Sequence, residues 1–186
     1  MATINLWMLG IALLYLSCPF TTNAWRPYEI KLTNFSFSSV NNNFTFNVTI
    51  TNSVIDAWID VKETIEQLYV HPEVHLDLGN GKYDFEFMNR RVDVCRLLRD
   101  KKYEPLIQMA FRSILPYCNC PSRCPISKKL YHINELRISS EYFPPSFPER
   151  KALLHLKFLR KIDQTLELLG TMSVVINVEK KYKSNG

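Results

Sequence analysis

Residues 43–50 read Asn-Phe-Thr-Phe-Asn-Val-Thr-Ile, a strict alternation of polar and apolar side chains. A period of two belongs to an extended backbone, whose successive side chains point to opposite faces. Phe44, Phe46, Val48 and Ile50 therefore share one face, and Asn43, Thr45, Asn47 and Thr49 share the other. The pattern predicts a half-buried strand, apolar face inward.

The same period recurs along the chain. Tyr28, Ile30, Leu32, Phe35 and Phe37 fit a strand over 28–37 with one irregularity near Asn34, and Ala57 to Val61 is a short third candidate. Residues 62–67 suit either a helical turn or a strand end. Val74, Leu76 and Leu78 alternate with His75 and Asp77; Tyr83, Phe85 and Phe87 alternate with Asp84 and Glu86 on the return. Asn80-Gly81 between them suits a type I′ hairpin turn. After Asn89 the period changes. Val94, Cys95, Leu97 and Leu98 fit a helix, and Pro105 can open a second whose stripe is Ile107, Ala110, Phe111 and Ile114. Tyr117 to Pro125 is a loop rich in Cys and Pro, and Tyr142 to Pro148 an irregular or polyproline stretch. Extended patterns return at 130–138, at Leu154-Leu156-Phe158, and from about Leu166 to Val178, where Leu168, Gly170, Met172, Val174, Ile176 and Val178 read as one side.

Seven or eight short strands with a helical insert around residues 92–116 predict a mainly β fold, a two-sheet antiparallel sandwich of immunoglobulin-like type. No repeat or linker divides the chain. Residues 25–178 read as one domain and 179–186 as a polar tail.

The N-terminus points to export. Ile4 to Leu16 is almost purely apolar, shorter than the roughly 20 residues that span a bilayer. Pro19 ends the stretch, and Thr22-Asn23-Ala24 places small residues at a cleavage site. The segment lacks Lys and Arg, leaving only the α-amino group positive. Residues 1–24 are read as a cleaved signal peptide and the mature chain as secreted, with no second apolar span to anchor it. Three glycosylation sequons follow, at Asn34, Asn43 and Asn47. Glycans on Asn43 and Asn47 would leave from the polar face of the first strand described. Past Cys18 the chain carries Cys95, Cys118, Cys120 and Cys124, an even number that in a secreted chain suggests two disulfides with three pairings open. A zinc site at Cys118-x-Cys120-x3-Cys124 is the weaker reading, since no His lies nearby.

A net charge of +5 is mild. It gives no reason to expect nucleic acid. Basic residues cluster at Arg90, Arg91, Arg96, Arg99, Lys101 and Lys102, and at Lys180, Lys181 and Lys183. Such clusters can meet anionic lipid headgroups or glycans, but the favoured reading is a solvated helix face and a solvated tail.

Catalytic signatures are missing. Beyond the signal only Gly79, Gly81, Gly170 and Gly186 remain, so neither a phosphate-binding loop nor a dinucleotide fingerprint can be built, and no nucleophile elbow occurs. His71-Pro72-Glu73-Val74-His75 has the wrong order for a zinc-protease helix and reads as a strand, which would hold the two imidazoles about 13 Å apart. His132 and His155 are isolated, and Asp84 and Glu86 look like the outer face of a hairpin. No enzyme activity, metal or cofactor is expected.

Three stretches carry a resemblance. They are Lys82-Tyr83-Asp84-Phe85-Glu86-Phe87-Met88-Asn89-Arg90 with Val92-Asp93-Val94-Cys95; Pro105-Leu106 through Leu115-Pro116-Tyr117 to Cys124-Pro125; and Phe143-Pro144-Pro145 before a basic residue and a strand. Together they resemble a large insect family of small secreted proteins, best known from fruit flies and of unknown function. That family looks related to the ML-type lipid-recognition fold of the ganglioside activator and to fly chemosensory, CheB-like proteins proposed to act in pheromone detection. The resemblance implies pairing of Cys95 with Cys124 and a sandwich whose sheets are splayed to admit an apolar ligand. Cys118 and Cys120 depart from the pattern. They can close a small ring, exchange partners with the first pair, or bridge two chains.

The expected function is a secreted carrier or presenter of a lipid or other hydrophobic small molecule, with a role in chemosensory or pheromone-related signalling and a cell-surface receptor as a further partner. Candidate lining residues are Phe44, Phe46, Phe85, Phe87, Phe111, Leu156, Phe158, Met172, Val174 and Ile176. The alternative is a protein-binding sandwich in which these side chains fill a closed core.

Overall fold

The computed structural model describes residues 28–40, 42–138 and 149–180. The signal-peptide reading, the proline-rich stretch 142–148 with Phe143-Pro144-Pro145, and Lys181 and Lys183 fall outside the described residues. Those described form nine strands: β1 (Tyr28–Ser39), β2 (Phe44–Thr51), β3 (Val54–Val61), β4 (Leu68–Asp77), β5 (Phe85–Asn89), β6 (Val92–Asp93), β7 (Lys129–Arg137), β8 (Lys151–Ile162) and β9 (Thr165–Lys180). Between β6 and β7 lie helices α1 (Val94–Arg99) and α2 (Pro105–Ile114) and a 3-10 turn at Leu115–Tyr117. The large sheet runs β1-β9-β8-β4-β5, with β6 also on β4; the small sheet runs β2-β3-β7. Every strand pair is antiparallel. This is the two-sheet architecture with a helical insert that the alternating segments predict.

Local chemistry explains the departures from simple alternation. The register of β1 on β9 shifts between Thr33 and Ser36, where Asn34 takes a positive φ of 53°; asparagine tolerates that left-handed conformation better than most residues. The irregularity expected near Asn34 is therefore a bulge. On β9 the register shifts opposite Phe158 and Leu159, which pair with Gly170 and Leu168. Leu169 is the extra residue, and it is 1% exposed. The expected apolar side of β9 is thus interrupted, and Leu169, not Leu168, enters the core.

The β4–β5 hairpin is real, but its turn differs from expectation. Strand pairing resumes only at Leu76 opposite Phe85, leaving a loop over 78–84. Gly79 and Gly81 take the positive φ values, and Asn80 does not. The Asp77 carboxylate accepts hydrogen bonds from the amides of Gly79 and Gly81 at 2.8 and 3.0 Å, closing the loop as an Asx-type turn.

Strand β4 also starts six residues before the alternation at Val74 suggests, and it passes through Pro72. Proline has no N–H to give a ladder. The Pro72 carbonyl accepts from the Arg90 amide at 3.2 Å, so its nitrogen faces the jog between β5 and β6. The missing donor falls where the neighbouring strand is interrupted.

Both disulfides are intramolecular. Cys95 of α1 pairs with Cys124 in the loop before β7, as the resemblance implies, with a Cα separation of 5.5 Å. Cys118 pairs with Cys120 and closes the small ring. Arg160 of β8 holds Glu167 of β9 at 2.7 Å and Glu63 of the β3–β4 connection at 2.8 Å. No helix among the described residues is long and apolar enough to cross a membrane.

Candidate functional site

Antiparallel register brings directly opposed side chains onto one face. On the inner face of the large sheet this makes transverse rows. Val70 of β4, Phe158 of β8 and Gly170 of β9 form one; Pro72, Leu156, Met172 and Phe37 of β1 the next; then Val74, Leu154 and Val174; then Leu76, Ala152, Ile176 and Leu32. The expected site residues Leu156, Phe158, Met172, Val174 and Ile176 are therefore neighbours on a single apolar surface. Phe85 extends the last row across Leu76.

The small sheet covers one end of this surface. Phe44, Val61, Ile65, Leu68, Ile126, Tyr131 and Leu169 form the buried cluster between the layers, with Phe37, Ile59 and Phe158 packed against it. Four ring contacts knit it: Phe46 meets Phe35 at 6.3 Å, Phe37 at 5.4 Å and Phe158 at 6.3 Å, and Phe44 meets Phe158 at 5.4 Å, within the 4.5–7 Å range of favourable aromatic pairs. Here Phe44, Phe46 and Phe158 fill space. Leu156, Met172, Val174 and Ile176 are not part of that cluster. The inner face thus has a packed aromatic end and an aliphatic continuation. Phe35 and Phe37 belong to the packed end and were absent from the expected set; the bulge at Asn34 hides their phase in the sequence.

Three expected residues lie at or beyond the margin of this surface: Phe85 ends a row at its edge, and Phe87 and Phe111 are off it. Phe85 and Phe87 sit on edge strand β5 and are 46% and 54% exposed. A register shift opposite Val74 and His75 makes Phe87 the unpaired residue of a bulge, and this breaks the alternation that pairs it with Phe85 in the sequence. Phe111 is half-buried on α2, in the insert.

The outer face of the large sheet carries a polar strip between apolar pairs such as Leu153 with Val175 and Leu159 with Leu168. Glu73 pairs with Lys157 at 2.5 Å and lies 3.8 Å from His71, and His155 Nδ1 meets Ser173 Oγ at 2.7 Å. The Lys157 hydrogen bond holds the Glu73 carboxyl below its usual range against an opposing effect of burial, with the charges of Lys157, His71 and His155 adding to it. His71 and His75 share this face on a strand, as expected. Among the described residues no group of three His, Cys, Asp or Glu side chains is arranged to hold a metal ion.

An open cleft of about 610 Å³ lies beside the small sheet, lined by polar groups that include Asp56, Asn119, His132, Asn134 and Glu135. Its chemistry does not suit an apolar ligand. The sequons differ in setting: Asn47 is exposed on β2 opposite Trp58, Asn34 is exposed at the β1 bulge, and Asn43 is half-buried with its amide donating to Glu63 at 2.6 Å.

Residues 70–151 match the sequence profile of a family described as protein of unknown function (DUF1091). The matched stretch runs from β4 through the helical insert and β7 to the first residue of β8, so over this region the chain is similar to an uncharacterised family. No curated protein matches the chain.

Proposed function

We propose that the protein is a secreted, glycosylated, non-catalytic carrier that holds a lipid or other hydrophobic small molecule against the inner face of its large sheet, in a chemosensory or pheromone-related setting with a cell-surface receptor as its second partner. The observation that carries this reading is the aliphatic continuation of the inner face, Leu156, Met172, Val174 and Ile176, beyond the aromatic cluster that fills the space between the layers. Ligand sites of this class are mostly apolar with few polar groups. The serine–histidine contact on the outer face favours binding over catalysis, because the Glu73 carboxylate that could orient the imidazole is engaged by Lys157.

Native mass spectrometry of protein secreted from insect cells, before and after organic extraction, tests the reading. A released hydrophobic molecule of defined mass supports it. A clean apo mass, with no uptake of fatty acids, sterols or cuticular hydrocarbons, refutes it. The exposed Phe85 and Phe87 on an edge strand favour the second reading, a protein-binding sandwich that recruits a partner along β5.

A further inference from the structure

Helix α2 half-buries its stripe of Ile107, Phe111 and Ile114, yet sets a polar residue deepest. Its fully buried residue is a polar one, Gln108, at 6% exposure. The Gln108 side-chain amide donates to the carbonyls of Leu97 and, at 3.1 Å, Asp100 at the end of α1. Meanwhile Leu106 is 68% and Met109 42% exposed. At 100° per residue Pro105, Leu106, Met109 and Ala110 fall on one arc, and all four are exposed. Ser113 interrupts this arc further along, so the exposed apolar patch is confined to the first turns of the helix. Exposed Leu residues are ordinary singly; two long apolar side chains exposed together on one helix face mark an interaction surface.

The surroundings say what it meets. Lys101 and Arg112 stand beside this arc, Arg99 and Lys102 are exposed in the preceding segment, and among the described residues none of the four makes a salt bridge. The nearby acids are engaged: Glu104 holds Arg90 at 3.0 Å and Asp100 lies 4.0 Å from Arg96. Lys101 and Arg112 line a shallow depression of about 380 Å³ together with Pro105 and Met109. A second copy of the chain would set these cations against each other. A protruding apolar ridge framed by cations matches the boundary of an anionic bilayer, where apolar side chains enter the acyl edge and Lys and Arg stay among headgroups.

We propose that α2 is a membrane-docking helix, placing Leu106 and Met109 into the surface of an anionic bilayer while Lys101, Lys102, Arg99 and Arg112 engage lipid phosphates and carboxylates. This surface is separate from the inner face, so the docking stands whether or not a ligand is carried.

The test is co-sedimentation of the delipidated protein with phosphatidylcholine vesicles, with and without about one-third phosphatidylserine, at low and high salt. Binding to the anionic vesicles alone, weakened by salt, is expected. Lys101→Gln with Lys102→Gln should lower partitioning about thirtyfold. Leu106→Glu with Met109→Glu should abolish it. Both pairs replace exposed side chains, so an unchanged unfolding midpoint separates lost docking from lost folding. Equal binding to neutral vesicles, no binding to either, or binding indifferent to the Leu106 and Met109 changes overturns the proposal. Binding to soluble polyglutamate that survives Leu106→Glu and Met109→Glu would assign the cations to an acidic protein instead.

Discussion

Phe37 of β1 lays its ring across Gly170 of β9: a Cβ at Gly170 would stand 3.0 Å from Phe37 Cζ and 2.9 Å from the carbonyl oxygen of Ser38. The absent side chain is what lets β1 carry an aromatic ring over its neighbour and into contact with Phe46. Gly170 also stands opposite Phe158, so one glycine makes room for the packed aromatic end of the inner face.

Gly170→Ala should therefore destabilise the protein by about 1–3 kcal/mol, because backbone as well as ring must shift to admit the methyl group. Gly170→Val should cost more. Urea unfolding reads both, through a lower midpoint at unchanged slope.

Gln108→Leu should destabilise by about 1–3 kcal/mol although it makes the α2 sequence more apolar. It removes the donor that the side-chain amide gives to the carbonyls of Leu97 and Asp100 at the end of α1; Asp100 keeps its bond from the Tyr103 amide at 3.1 Å, so the loss falls chiefly on Leu97. Faster hydrogen exchange confined to the insert would accompany the loss. An equal or higher midpoint would show that the buried amide is not what seats α2 on α1.

The two disulfides should contribute unequally. Cys95 and Cys124 are 29 residues apart and close a long loop, worth about 3–4 kcal/mol on the chain-entropy account. Cys118 and Cys120 are 2 apart, so their bridge restricts the unfolded chain far less. Replacing each pair by Ala and comparing unfolding midpoints checks the ordering.

Acid should loosen the link between β4 and β8. The Glu73 carboxyl is held below its ordinary value near 4.5, chiefly by Lys157. A carboxyl depressed in the folded state stabilises above its unfolded pKa, and that contribution fades as pH falls through the folded value. Glu73→Gln should thus be slightly less stable at pH 7, by under about 1 kcal/mol given the exposure of Lys157. The gap should close below pH 4.5, which paired melting curves across the acid range would reveal.

Much of this architecture can be read from periodicity. Strands β2, β7 and β8 announce themselves by alternation, and α2 begins at Pro105 and ends at Ile114, where its stripe ends. What escapes the pattern does so for local reasons. The start of β4, residues 68–70, is masked because the ambiguous stretch 62–67 runs into it and Pro72 interrupts the alternation that would extend the strand backward from Val74. Leu169 is lost because a bulge inverts the phase of β9 halfway along. The joining of Leu156, Met172, Val174 and Ile176 into one surface was legible, because register follows from alternation on two adjacent strands. The exposure of Phe85 and Phe87 was not: both look inward by period, and only the sheet order puts β5 at an edge. Nor does the burial of Gln108 show in a stripe judged by apolar residues alone.

Because Cys95 and Cys124 meet, the chain leaves and re-enters the sandwich at almost the same place. The intervening residues form a ring that is tied back to the small sheet at one point, where the Asn119 amide donates to the carbonyl of His132 on β7 and its side-chain oxygen accepts from the His132 amide. The rows across β4, β8 and β9 are each fixed by neighbours on both sides and resist change. Away from Asn119 and the buried Leu97, the exposed surface of the ring can be recharged without touching a strand. Substitutions on that outer surface should therefore cost less stability than substitutions in the rows beneath it.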